Sequence, residues 1–168
     1  FKLAQGVTTV VSGNCGFSAV PADPEKDSVA ASGGILAGLE GEFTDLDGYF
    51  EAALARGPAI NNLMLVGHNT VRALVMGMEK RAPTRDELAA MAGHVERALE
   101  QGSCGFSTGL IYRPGRWSGT EEVIELARLA KPFDALYTTH MRNEGDFLLE
   151  AVDETLTIGR EADVHAHI

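Results

Sequence analysis

Cysteine is scarce in this 168-residue chain, with only Cys15 and Cys104, and two thiols do not make the disulfide framework of a small secreted domain. A reduced, cytoplasmic setting is the simpler expectation. Basic residues are also short: 14 Lys and Arg stand against 24 Asp and Glu, for a formal charge of −10. That balance argues against nucleic acid or an anionic membrane as partner, because either needs a basic face. No apolar run approaches the length that spans a bilayer, and the N-terminus lacks the basic-then-apolar order of a signal peptide. Walker-type loops, dinucleotide fingerprints and Gly-x-Ser-x-Gly elbows are missing as well.

What is present is ordinary for a soluble globular protein, at 45% apolar and 23% charged residues. The length suits a single domain over residues 1–168 with a real core. Five short β-prone runs stand out: Val7 to Ser12, Ile60 to Val66, Gly105 to Leu110, Ala135 to Thr139 and Val164 to Ile168. Helical patterns lie between them. Thr84-Arg85-Asp86-Glu87 has capping-box spacing and leads into an apolar stripe of Leu88, Met91, Ala92, Val95, Ala98 and Leu99. A second helix opens at Ser118 to Glu121, and a third begins at Phe147 with Leu148, Ala151, Val152 and Thr155 on its buried side. Asp45 to Arg56 is a fourth. Strands alternating with helices in this way predict an α/β fold with a parallel sheet under covering helices, either an open sheet or a closed barrel. The weakly patterned stretch Ser18 to Glu42 reads as a mobile excursion over the site end of the sheet. Both termini read as cut through structure, the first at a helix stop on Gly6 and the second inside a strand, so an internal fragment is expected.

Polar and chemically active residues gather where the strands end, which is where α/β proteins place working groups. Ser12-Gly13-Asn14-Cys15-Gly16 closes the first strand. Its glycines allow a sharp turn that presents Cys15 either on an exposed rim, as metal ligand or nucleophile, or as a small buried residue. His140 ends the fourth strand in Tyr137-Thr138-Thr139-His140-Met141-Arg142-Asn143-Glu144-Gly145-Asp146 and suits a metal ligand, a general base or a loop-bound histidine. His68 closes the second strand in the same manner, so that Cys15, His68 and His140 form a candidate zinc set. His165-Ala166-His167 has the alternate spacing that lets a strand clasp one metal ion, but it lies within a strand instead of after one. Tyr112 follows the third strand and either orients a substrate or packs. Arg142 either binds a substrate carboxylate or pairs with Glu144 or Asp146, and His94 reads as structural.

Four motifs in register make the chain recognisable. Gly6 to Val11 with Gly13-Asn14-Cys15-Gly16, then Leu65-Val66-Gly67-His68, then Gly105 to Tyr112, then Thr139-His140-Met141-Arg142 with Glu144-Gly145 together resemble the N-acyl-D-amino-acid deacylases of the amidohydrolase superfamily. The resemblance implies a partial (β/α)8 TIM barrel covering roughly strands 2 to 6. It implies zinc, one or two ions, at the C-terminal ends of the strands, with Cys15 and His140 as metal ligands and Tyr112 steadying the carbonyl of a small-molecule N-acyl-D-amino acid substrate. His68 and Arg142 are the candidates on the substrate side. The family's first-strand His-x-His, sixth-strand histidine and eighth-strand aspartate, the expected base, find no match within the chain. In this register His165 and His167 belong to strand six and are expected to turn toward the helices, away from the ligand position that follows Ile168.

The implied reaction is hydrolysis of the amide of N-acyl-D-amino acids, with the 168-residue chain inactive alone. Three other readings stay open at this point. A cyclic-amide hydrolase of the dihydroorotase or hydantoinase kind shares the barrel but not the cysteine. A thiol hydrolase would use Cys15 as nucleophile with His140 or His68 as base. A non-catalytic barrel piece would self-associate through unpaired strand edges.

Overall fold

The computed structural model describes residues 1–23 and 43–168, so most of the expected excursion from Ser18 to Glu42 lies outside the described residues. A short 3₁₀ turn, Leu3–Gln5, stops at Gly6 in the left-handed conformation. Five parallel strands follow in sequence order across one sheet: β1 (Thr9–Ser12), β2 (Asn61–Gly67), β3 (Gly105–Gly109), β4 (Leu136–His140) and β5 (Ala166–His167). All five fall on the β-prone runs, three shortened and two, β2 and β4, displaced by one residue toward the C-terminus. The helices are α1 (Leu46–Ala55), α2 (His68–Met76), α3 (Arg85–Glu100), α4 (Thr120–Ala127) and α5 (Leu148–Ala162), with a further 3₁₀ stretch over Arg128–Phe133. Consecutive parallel neighbours joined by helices, with no strand reversed, describe half of a (β/α)8 barrel.

The register staggers as a closing sheet requires. β1 pairs with the first half of β2, Thr9 opposite Asn61, whereas β3 pairs with the second half, Leu65 opposite Gly105. β3 and β4 then run side by side over their full length, ending with Gly109 opposite His140. Tyr137 is fully buried in the apolar layer between sheet and helices, together with Phe106, Val123, Leu126 and Ile158. Alternation along β4 therefore turns Leu136, Thr138 and His140 to the concave inner face. No helix among the described residues is long and apolar enough to cross a membrane.

Helix α3 forms as its sequence specifies. The Thr84 hydroxyl accepts from the Glu87 N–H at 3.2 Å while the Glu87 carboxylate accepts from the Thr84 N–H at 2.7 Å, a reciprocal capping box. Arg81 adds two hydrogen bonds to the same carboxylate, and it is chiefly this guanidinium that lowers the Glu87 pKa to about 2. Met91, Val95, Ala98 and Leu99 then face the core at helical spacing. Thr84→Ala is expected to cost about 1 kcal/mol in urea unfolding, since it frees one orphan N–H of the first turn.

Two expectations need correction. The helix α2 was not foreseen; it begins at the residue after β2 with no loop and with Gly67 as an N-cap that offers no side chain. In α5 the buried face is Ala151, Thr155, Ile158, Gly159 and Ala162, while Leu148 is 40% exposed. The stripe begins one turn later, with Phe147 and Leu148 exposed.

Candidate metal centre

The turn after β1 is held over the ends of β2 and β3 by backbone geometry that the sequence provides. Gly13, Cys15 and Gly16 all take positive φ, at 85°, 57° and 77°. For Cys15 this left-handed conformation costs about 1 kcal/mol or more, so the surroundings must enforce it. They do so through Ser107 on β3, whose hydroxyl donates to the Gly13 carbonyl and accepts from the Gly16 N–H at 3.1 Å. Opposite, a β-carbon at Gly109 would collide with the Cys15 carbonyl oxygen, so only glycine lets the turn close onto β3. The thiol of Cys15 is free and half-buried, and burial pushes its pKa up.

His140 ends β4 on the concave face. Its Nε2 is buried and receives no well-aligned hydrogen bond. Glu144 Oε1 does lie 3.0 Å away, but proximity without alignment is an electrostatic contact and not a bond. Tyr112 stands edge-on to the imidazole, with ring centroids 4.8 Å apart and planes at 82°. An open cleft of about 350 Å³ is lined by both Cys15 and His140, with Asn14, Thr138, Glu144 and His167 also on its walls.

The remaining candidates move. His68 does not reach the cleft. As the first residue of α2 it is fully buried and turned into the helix layer, where Nε2 meets Glu122 Oε1 at 2.8 Å and the ring stands edge-on to Phe106. The zinc set of Cys15, His68 and His140 is therefore not assembled, because His68 is bound to Glu122 within the helix layer. One turn on, Arg72 donates to both oxygens of the same carboxylate at 2.6 Å and to the Arg81 carbonyl at 2.5 Å. Burial alone would raise the Glu122 pKa, but the bonds from His68 and Arg72 outweigh it and hold the group below the usual carboxylate range.

Arg142 pairs, though not with Glu144 or Asp146. Its Nε and Nη2 donate to the two oxygens of Glu154 at 2.9 and 2.8 Å, and Nη1 donates to the Arg116 carbonyl at 3.0 Å. Three of the five N–H groups of the guanidinium are thus committed within the chain, so the structure favours pairing over a substrate-carboxylate clamp. Burial would raise Glu154, yet Arg142 more than compensates and lowers it.

His165 and His167 separate. Thr138 and His167 are register partners, and partners in a parallel ladder share a face. His167 therefore lies on the cleft wall with Thr138, and it is Ala166 that meets Gly159 of α5. The expectation that His167 turns toward the helices is overturned. His165 sits at the opposite, N-terminal rim of the sheet beside Lys131 and Asp163.

Cys15 and His140 thus bring two strong metal donors to one cleft, one of them a buried nitrogen with no aligned partner. Both suit zinc, which takes thiolate and imidazole ligands. Among the described residues no three His, Cys, Asp or Glu groups are gathered closely enough to hold an ion.

No protein-family model matches the chain. It is similar to a D-aminoacylase of Alcaligenes xylosoxydans xylosoxydans, with 41% identity over 167 residues that cover 97% of this chain and 34% of the relative. An N-acyl-D-glutamate deacylase from the same organism is 44% identical over 160 residues, 95% of this chain and 32% of its own. Among solved structures, the N-acyl-D-glutamate deacylase of Bordetella bronchiseptica, complexed with zinc and a phosphonate mimic of the tetrahedral intermediate, superposes with a TM-score of 0.85 at 41% identity, covering 99% of this chain and 35% of that one. The chain spans about a third of the length of the curated relatives it matches.

Proposed function

We propose, because the chain belongs to the N-acyl-D-amino-acid deacylases of the amidohydrolase superfamily, that it forms the Cys15–His140 half of a zinc site that hydrolyses the amide of N-acyl-D-amino acids. The observation that carries the proposal is that His140, whose buried Nε2 has no aligned hydrogen bond, lines the same cleft as Cys15. Zinc, when bound, supplies a Lewis acid for the scissile carbonyl and acidifies water at neutral pH.

This chain's own residues prepare that site. Cys15 is held by the Ser107 clamp with its sulfur free, so ligation requires only loss of the thiol proton. Tyr112, 39% exposed and set edge-on against His140, is the candidate to donate from its hydroxyl to the carbonyl oxygen of a bound acyl group. The cleft is open, which suits a small acylated amino acid. The general base is assigned to a carboxylate outside the residues of this chain.

The competing thiol-hydrolase reading is disfavoured by the environment of Cys15. A nucleophilic cysteine is held within hydrogen-bond reach of its base, and among the described residues no hydrogen bond joins Cys15 to His140 or to His68, which meets Glu122 instead.

The deciding assay measures release of free D-amino acid from N-acetyl-D-amino acids by protein carrying this segment. Activity is expected to vanish with a chelator and return with zinc. Activity that survives chelation and dies with alkylation would assign Cys15 to nucleophilic chemistry instead. The 168-residue chain alone, with zinc added, is expected to show no turnover.

A further inference from the structure

Asn69, the second residue of α2, is fully buried yet belongs to no apolar cluster. Its Nδ2 donates to the carbonyl of Gly109 at 3.2 Å, at the end of β3 and three residues before Tyr112. Its Oδ1 is buried without any donor. A β-carbon on Gly16 would come within 2.5 Å of that oxygen, and one on Gly115 would overlap it too. The amide is therefore wedged between two glycine α-carbons, one beside Cys15 and one in the turn after Tyr112, where only weak Cα–H contacts can serve the oxygen.

The adjoining residue extends the clamp. Thr70 N–H donates to the Gly16 carbonyl at 3.1 Å, and the Thr70 hydroxyl accepts from the Ser18 N–H at 3.0 Å. The start of α2 thus grips the Cys15 turn from one side while Ser107 grips it from the other.

We propose that Asn69 is a positioning residue that fixes the Cys15 turn relative to the Tyr112 loop by spanning Gly16, Gly109 and Gly115. This rests on reading Cys15 and Tyr112 as parts of one site. The energetics favour position over fold. A buried carbonyl oxygen without a donor carries an uncompensated desolvation cost, and a leucine of nearly the same shape would remove it. A residue kept for packing alone would be no worse as leucine. Asn69 is fully buried, so its effect passes through Cys15 and Tyr112.

The test is site-resolved alkylation of the chain by iodoacetamide, with Cys15 and Cys104 read separately by peptide mass spectrometry. In Asn69→Leu and Asn69→Ala the Cys15 rate is expected to rise about 5-fold, the weight of one hydrogen bond, with Cys104 unchanged. Cys104 reports on the fold at large because it lies at the far end of β3. Val71→Ala, which opens a cavity in the core next door, calibrates general loosening and is expected to move both thiols together. An unchanged Cys15 rate in both Asn69 variants would overturn the proposal. Equal acceleration of the two cysteines would overturn it as well, by assigning Asn69 to global stability. Labelling needs neither metal nor substrate, so failure of the deacylase reading would show in the chelator assay and not here.

Discussion

Glu122→Ala is expected to destabilise the protein by about 3–5 kcal/mol, because it leaves the guanidinium of Arg72 charged, fully buried and held by a single carbonyl. The carboxylate meets two donors on successive turns of α2, His68 and Arg72, and both lose their partner at once. A domain has only about 5–15 kcal/mol of total stability, so the loss should be plain in a urea midpoint. Arg72→Met combined with Glu122→Leu is expected to be milder than Glu122→Ala, since no buried charge then stands alone, and a double-mutant cycle would return a coupling of about 1–3 kcal/mol. Additivity of the two substitutions would show that they do not act as a pair. The pH dependence carries a definite sign. Glu122 has a folded pKa below its ordinary 4.5, so its contribution is complete above that value and is lost as the pH falls through the lowered folded pKa. Acid titration of stability below pH 4.5 is therefore expected to be steeper in the wild type than in Glu122→Gln.

Loss of either cleft donor is the second large effect. Cys15→Ala and His140→Ala are each expected to weaken zinc binding by at least about 100-fold, roughly 2.7 kcal/mol, which exceeds the usual cost of removing a supporting residue around a metal. Competition with a chromophoric chelator measures this directly. Cys104→Ala and His68→Ala serve as internal comparisons: one thiol lies at the opposite end of β3 and the imidazole is turned into the helix layer, so neither should change affinity beyond a few-fold. Zinc held as tightly by Cys15→Ala as by the wild type would place the ion elsewhere and end the assignment.

The helix that carries Asn69, His68 and Arg72 marks where reading the residues in order falls short. Val71 and Thr70 are β-branched, no Ser, Thr or Asp stands at the N-cap, and the apolar β2 runs straight into it. Local signals for a helix are weak there, and the packing of Val71 and Met76 into the core supplies what propensity lacks. Once the helix is recognised, the rest follows from its period: His68 and Arg72 are four residues apart and share a face, which meets Glu122 of α4. Arg142 shows the same effect of distance. Glu144 and Asp146 are its neighbours in sequence, yet α5 carries Glu154 alongside in the geometry a guanidinium prefers.

The strand ends tell the other side of the story. All five strands, the capped helix α3 and the location of Cys15, His140 and Tyr112 just past β-prone runs were legible from alternation, capping residues and glycine placement, because those signals act over a few residues. Which of the strand-end groups meet was not. Cys15 and His140 share a cleft because β1 and β4 lean toward one concave face, His167 joins that wall through its register with Thr138, and His68 is withdrawn by a helix that starts without a loop. Those outcomes depend on strand pairing and on which helix face finds the core, contacts between residues far apart in sequence that no local pattern encodes.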